Sequence, residues 1–186
     1  MDFIRKNLKA IGIVNSIAIV VCIALRLASL SQASTLLAKI DLFACVIALT
    51  FGLFYSLSGY KKDSAIYFKA FVYLYAATSI LSFATAIISL MVDGSFVFDL
   101  NTAKIIIHAI VTICISILAI GLDLGKKKSL QLTYAILLLN IVKLIISLVS
   151  KTQFAIISSD VSNVLLTCTL LVFVCAKYVD KQSRGR

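Results

Sequence analysis

The chain has 186 residues, of which 61% are hydrophobic and only 14% charged. A soluble domain carries about 45–50% apolar and about 25% charged residues, so a soluble globular fold would leave most of these side chains facing water and is excluded. The net charge of +10 would suggest nucleic acid in a soluble protein, but here the basic residues sit between apolar runs. They read as membrane-topology signals, with no nucleic-acid partner expected.

A membrane-spanning helix takes about 20 residues. In chain order the apolar runs predict six, over 8–28, 42–58, 66–91, 104–122, 131–150 and 160–178. The expected fold is an all-α membrane protein: a compact bundle of six transmembrane helices forming a single integral membrane domain over 1–186. The remaining residues fill two tails and five loops. They are too few for a soluble domain, so no appended catalytic domain is expected.

The first span follows Arg5, Lys6 and Lys9 and carries Asn15, Cys22 and Arg26 on one face, at spacings of 7 and 4. Its basic start and Ser31-Gln32-Ala33 resemble a cleaved signal peptide. The apolar run over 10–25 is too long for that, and Arg26 interrupts its end. In the third span Thr78, Ser82, Thr85 and Ser89 share a face at spacings of 4, 3 and 4. Small hydroxyl residues of this kind let helices approach closely. Lys69 is near enough to an interface to snorkel.

The fourth span has a drifting stripe of Lys104, His108, Thr112 and Ser116. The fifth has Asn140, Lys143, Ser147 and Ser150 on one face, at spacings of 3, 4 and 3. In the sixth, Asp160, Asn163 and Thr167 align near its start. The tightest constraint is Lys143, since a mid-helix Lys costs about 2.5–3.5 kcal/mol on insertion scales. With every Asp read at or beyond a span end, Lys143 is left without an intramembrane carboxylate. It is therefore expected to point inward, to a water-containing cavity shared with Asn140. Arg26 is expected to pair with Asp41 or Asp160 at the rim.

Orientation follows from the basic residues. With the N-terminus inside, the cytoplasmic segments hold 12 of the 18 Lys and Arg, and the outer rim holds Arg26, Lys39, Lys104 and Lys151. Both termini are thus expected in the cytoplasm of a cell-membrane protein. Tyr55, Tyr60, Tyr67, Tyr134 and Tyr178 fall near the inner interface and read as headgroup anchors. The five cysteines lie inside apolar runs and read as small core residues. A shift of 65 residues superposes Lys61-Lys62 on Lys126-Lys127, Tyr75 on Asn140, and Ser82 on Ser147, as in a parallel repeat or by recurrence of short basic loops.

Several chemistries are absent from the sequence. One histidine excludes HExxH and any two-His site, and no GxSxG, Walker loop or GxGxxG occurs. No enzyme activity, cofactor or metal is expected. The polar groups gather at one depth, in the half of the bilayer away from the termini. They point to a small-molecule binding or transport component with an outward-facing polar cavity. The expected ligand residues are Lys143, Asn140, His108, Ser147 and Arg26, and the expected solute is a small anionic or polar one. The alternative is an accessory, assembly or immunity-type protein that acts on other membrane subunits through helix contacts.

Overall fold

The computed structural model describes residues 7–30, 35–93, 100–121, 125–150 and 154–183. Six helices carry the fold: α1 (Leu8–Leu30), α2 (Leu36–Leu57), α3 (Ala65–Asp93), α4 (Leu100–Ile120), α5 (Lys126–Val149) and α6 (Phe154–Ser183), with a short 3-10 turn over Lys62–Ser64. Each of the six is long and apolar enough to cross a membrane. The protein is a multi-pass membrane protein.

Two helices start about six residues before the apolar runs, a rise of about 9 Å. Lys39 and Asp41 interrupt the run of α2, yet the helix begins at Leu36, where the Thr35 hydroxyl accepts from the Ala38 amide at 3.2 Å. α6 begins at Phe154. Asp160 is therefore within its second turn instead of at its tip, and it is 1% exposed. The lysine run at 126–128 opens α5 as helix, not as loop.

Each helix packs on its neighbours in the chain, and α1 packs on α6, so the six close into a ring. The ring is antiparallel around its circumference. As α1 rises through Cys22, Arg26 and Ser29, its partners on α6 fall through Ser162, Ser159 and Ser158. Half of the membrane-crossing part of α6 is buried, against a third or less of each other helix. α6 thus leans into the ring and touches α2 across it.

The two ends of the ring differ. At the termini end, Phe173 of α6 sits among Tyr55, Phe71 and Tyr60, with ring centroids 4.9, 5.2 and 5.9 Å away in edge-on geometry. This arrangement suits aromatic quadrupoles. Gly52 makes room for it: a Cβ there would lie 3.0 Å from Phe71 Cδ2 and 3.4 Å from Phe173 Cε2. The turn after α2 uses two left-handed residues, Gly59 (φ 66°) and Tyr60 (φ 62°). A non-glycine residue there costs about 1–2 kcal/mol. Packing the Tyr60 ring against Tyr55 and Phe173 offsets that cost. Burial pushes the Tyr60 phenol above its ordinary value, partly countered by the Ser56 and Asn15 side chains.

This plug corrects the aromatic-belt expectation. Tyr55, Tyr60 and Tyr178 are buried in the bundle, and only Tyr67 and Tyr134 of the five face outward. Edge-on contact with Phe173 draws the Tyr55 and Tyr60 rings inward, and the Tyr178 hydroxyl turns in to Ser129 Oγ at 3.0 Å. Among the cysteines Cys22 and Cys45 are core residues, whereas Cys168 is exposed.

Candidate functional site

The opposite end of the ring is polar inside. Its centre is the start of α6, where Ser158-Ser159-Asp160-Val161-Ser162-Asn163 forms two turns of mostly polar side chains wedged between α1 and α5. At 100° per residue this segment presents polar groups to both neighbours at once.

Toward α1 it holds Arg26. The guanidinium donates from Nε to Ser162 Oγ at 3.0 Å, from Nη1 to Ser159 Oγ at 3.1 Å, and from Nη2 to Asn163 Oδ1. Arg26 is 6% exposed. No carboxylate among the described residues stands within ion-pair distance of it. The expected pairing with Asp41 or Asp160 does not form, because three neutral oxygens from α6 take its donors instead.

Toward α5 and α4 the same segment gathers the lysines. Lys143 Nζ is 3.1 Å from Asp160 Oδ1, and Lys104 Nζ is 3.7 Å from Asp160 Oδ2. Ser147 Oγ donates to Asp160 Oδ2 at 2.5 Å. Lys143 therefore does have an intramembrane carboxylate, contrary to expectation, and it is Asp160 carried inward by the early start of α6. A third branch runs deeper. Asn140 Nδ2 donates to Thr167 Oγ1 at 2.9 Å, the Tyr75 hydroxyl lies 3.5 Å from that oxygen, and Thr167 donates to the Asn163 carbonyl at 2.8 Å.

Above these groups opens a cavity of about 420 Å³, lined by Arg26, Asp41, Ser82, Lys104, His108 and Lys143 among others. Ligand sites begin at about 300 Å³. A narrower pocket of about 50 Å³ continues beneath it to Tyr75, Asn140 and Asn163. That is room for about one or two waters. The buried His108 Nε2 has no hydrogen-bond partner among the described residues. Asp41 likewise makes no hydrogen bond or ion pair there, although it lines both spaces.

Four of the five expected residues, Lys143, Asn140, His108 and Arg26, line one or both spaces. Ser147 is fully buried behind them and acts on Asp160. Of the α3 stripe, Thr78 is buried and Ser82 lines the cavity, while the half-buried Thr85 bonds back to the Leu81 carbonyl of its own helix at 2.6 Å. The side chain of Ser89 lies outside the described residues. Sequence reasoning names Asp41 only as a rim partner for Arg26, not as a cavity residue, and misses Ser159 and Ser162. The signal that reaches the two serines is the polar run at 158–163, whose density is unusual for a membrane helix. Among the described residues no group of three or more His, Cys, Asp or Glu side chains is placed to hold a metal ion.

Comparison with protein-family models, with curated proteins and with solved structures finds no match.

Proposed function

We propose that the protein is a small-molecule-binding or transport component of the cell membrane, taking a small anionic or polar solute into the cavity at the end away from the termini. The observation that carries this reading is the cavity itself: a ligand-sized space bounded by three cationic side chains, Arg26, Lys104 and Lys143, inside a chain that spans the membrane. Two carboxylates, Asp41 and Asp160, share its wall, so the cations are in surplus and favour a solute bearing negative charge. The reading involves no chemistry on the solute and no cofactor. The basic loops support both termini in the cytoplasm, which opens the cavity to the outside.

The test fills the cavity. Ser82 lines it and is only half-buried, so Ser82→Phe has space to enter. In detergent or nanodiscs, small anions are expected to raise the unfolding midpoint of the wild type. They should leave Ser82→Phe unshifted, with its own midpoint close to that of the wild type. A wild type indifferent to every small anion and polar solute would favour the accessory reading. In that case the outward ridge of Ile106, Ile110, Ile113 and Ile117 on α4 is the surface a partner helix would meet.

A further inference from the structure

The charged groups of the cavity are not equivalent. Lys104 and Lys143 are held by Asp160, with Ser147 completing that carboxylate's partners. Arg26 is different. It is buried, permanently charged, and fixed by two serines and an asparagine that carry no charge. Three of its five N–H groups have partners, and the side chain borders the cavity. A rigid guanidinium with free donors and no contacting counter-ion is built to receive an oxyanion.

Asp41 is the complementary case. A carboxylate inside a membrane-spanning helix is costly unless it is paired, yet Asp41 contacts no cation and no donor among the described residues. The charged and titratable groups around the cavity it faces are Arg26 from α1, Lys104 and His108 from α4, Lys143 from α5 and Asp160 from α6. From α3 the walls contribute Ser82 and Ala86 at the cavity and Tyr75 below. With the lysines drawn to Asp160, the attraction of Arg26 across the cavity is the main support for a charge on Asp41.

Resting on the anion-binding reading above, we infer that the cavity binds an oxyanion and a proton together, the anion on Arg26 and the proton on Asp41. An anion seated on the free guanidinium N–H groups screens Arg26 from Asp41 and sets a second negative charge beside it. A like charge nearby disfavours the ionised carboxylate, so Asp41 takes a proton from water as the anion enters. No bond in the solute changes. Linkage makes the effect reciprocal: protonated Asp41 holds the anion more tightly, and the anion holds the proton.

The probes are benzoate and its uncharged analogue benzamide, bound to the full chain in nanodiscs between about pH 5 and about pH 8, where benzoate stays ionised. In the wild type, benzoate affinity should rise by up to about tenfold per pH unit on acidification, the response to one linked proton. Benzamide affinity should not depend on pH. Asp41→Asn should bind benzoate with an affinity independent of pH, and Arg26→Gln should lose benzoate selectively. Calorimetry of the wild type in two buffers of different ionisation enthalpy should count about one proton taken up per benzoate. This count does not depend on any variant folding.

A pH response that persists in Asp41→Asn overturns the assignment of the proton, and its loss in His108→Gln would move it to His108. Wild-type binding without proton uptake overturns the coupling but leaves the solute-binding reading in place. Failure of benzoate to bind the wild type at any pH overturns the coupling and removes the oxyanion receptor, whatever else the cavity takes.

Discussion

Asp160 holds two ammonium groups and a hydroxyl in a setting with almost no access to water. Removing one member of a buried ion pair leaves the other charge uncompensated, typically at about 3–5 kcal/mol. Asp160→Asn is therefore expected to destabilise the bundle by that order, read as a lower unfolding midpoint in detergent. Lys143→Met should cost less, because Lys104 and Ser147 still engage the carboxylate; the reverse order would show that these two do not hold it without Lys143. From the sequence alone, the same Lys143→Met change is expected to leave folding intact or improve it while abolishing binding, on the premise that no intramembrane carboxylate pairs with Lys143. That premise failed through depth, not chemistry. The apolar run starts at Asp160, which reads as a helix tip, whereas the helix begins at Phe154 and carries the carboxylate inward. Arg26 shows the complementary limit. Its position is legible, but its partners are two serines and an asparagine separated from it by 133, 136 and 137 positions, and nothing local in the sequence selects them. At the plugged end, the raised Tyr60 phenol gives a sign. An acid raised in the folded state is stabilising below its unfolded value, about pH 10, and that contribution fades as pH rises through the folded value. Tyr60→Phe should flatten the alkaline fall in stability.

At the scale of elements, α6 departs furthest from a lipid-facing span. Its buried face is aromatic at one end, through Phe173 and Tyr178, and polar at the other, through Asp160, Ser162 and Thr167. Periodicity finds both stripes but does not say that one helix serves two interiors. The close approach that permits this is at Gly52 of α2. Gly52→Ala would place a Cβ within 3.0 Å of the Phe71 ring and 3.4 Å of the Phe173 ring. Those rings are locked edge-on among their neighbours, so the expected loss is about 1–3 kcal/mol, as for overpacking. Thermal unfolding of the purified variant measures it, and an unchanged midpoint would mean the plug is loosely packed. The two hairpins compared by the 65-residue shift place some equivalent residues alike: Tyr75 and Asn140 both reach Thr167. They differ at positions 39 and 104, which the same shift superposes: Lys39 is exposed and Lys104 is buried.

The whole molecule is a ring of six helices closed by α1 against α6, plugged at the termini end and open at the other. Six spans were legible because lipid demands long apolar helices whatever their packing. The closure was not, since sequence patterns carry no record of which helices lie side by side. In a cysteine-free background, Gly125→Cys at an open turn and Lys39→Cys on an exposed face should behave oppositely. An impermeant thiol reagent added to intact cells should reach Lys39→Cys and miss Gly125→Cys; the inverse would turn the cavity toward the cytoplasm. Closure of the ring by its first and last helices has a consequence for biosynthesis. Arg26 enters the bilayer with the first helix, while its oxygen acceptors at Ser159, Ser162 and Asn163 are still untranslated. At about 5–20 residues per second, the nascent chain carries the guanidinium without its protein acceptors for about 7–30 seconds before α6 arrives. A ribosome stalled late in the message would therefore hold five helices in which Arg26 still lacks the three acceptors that only the sixth brings.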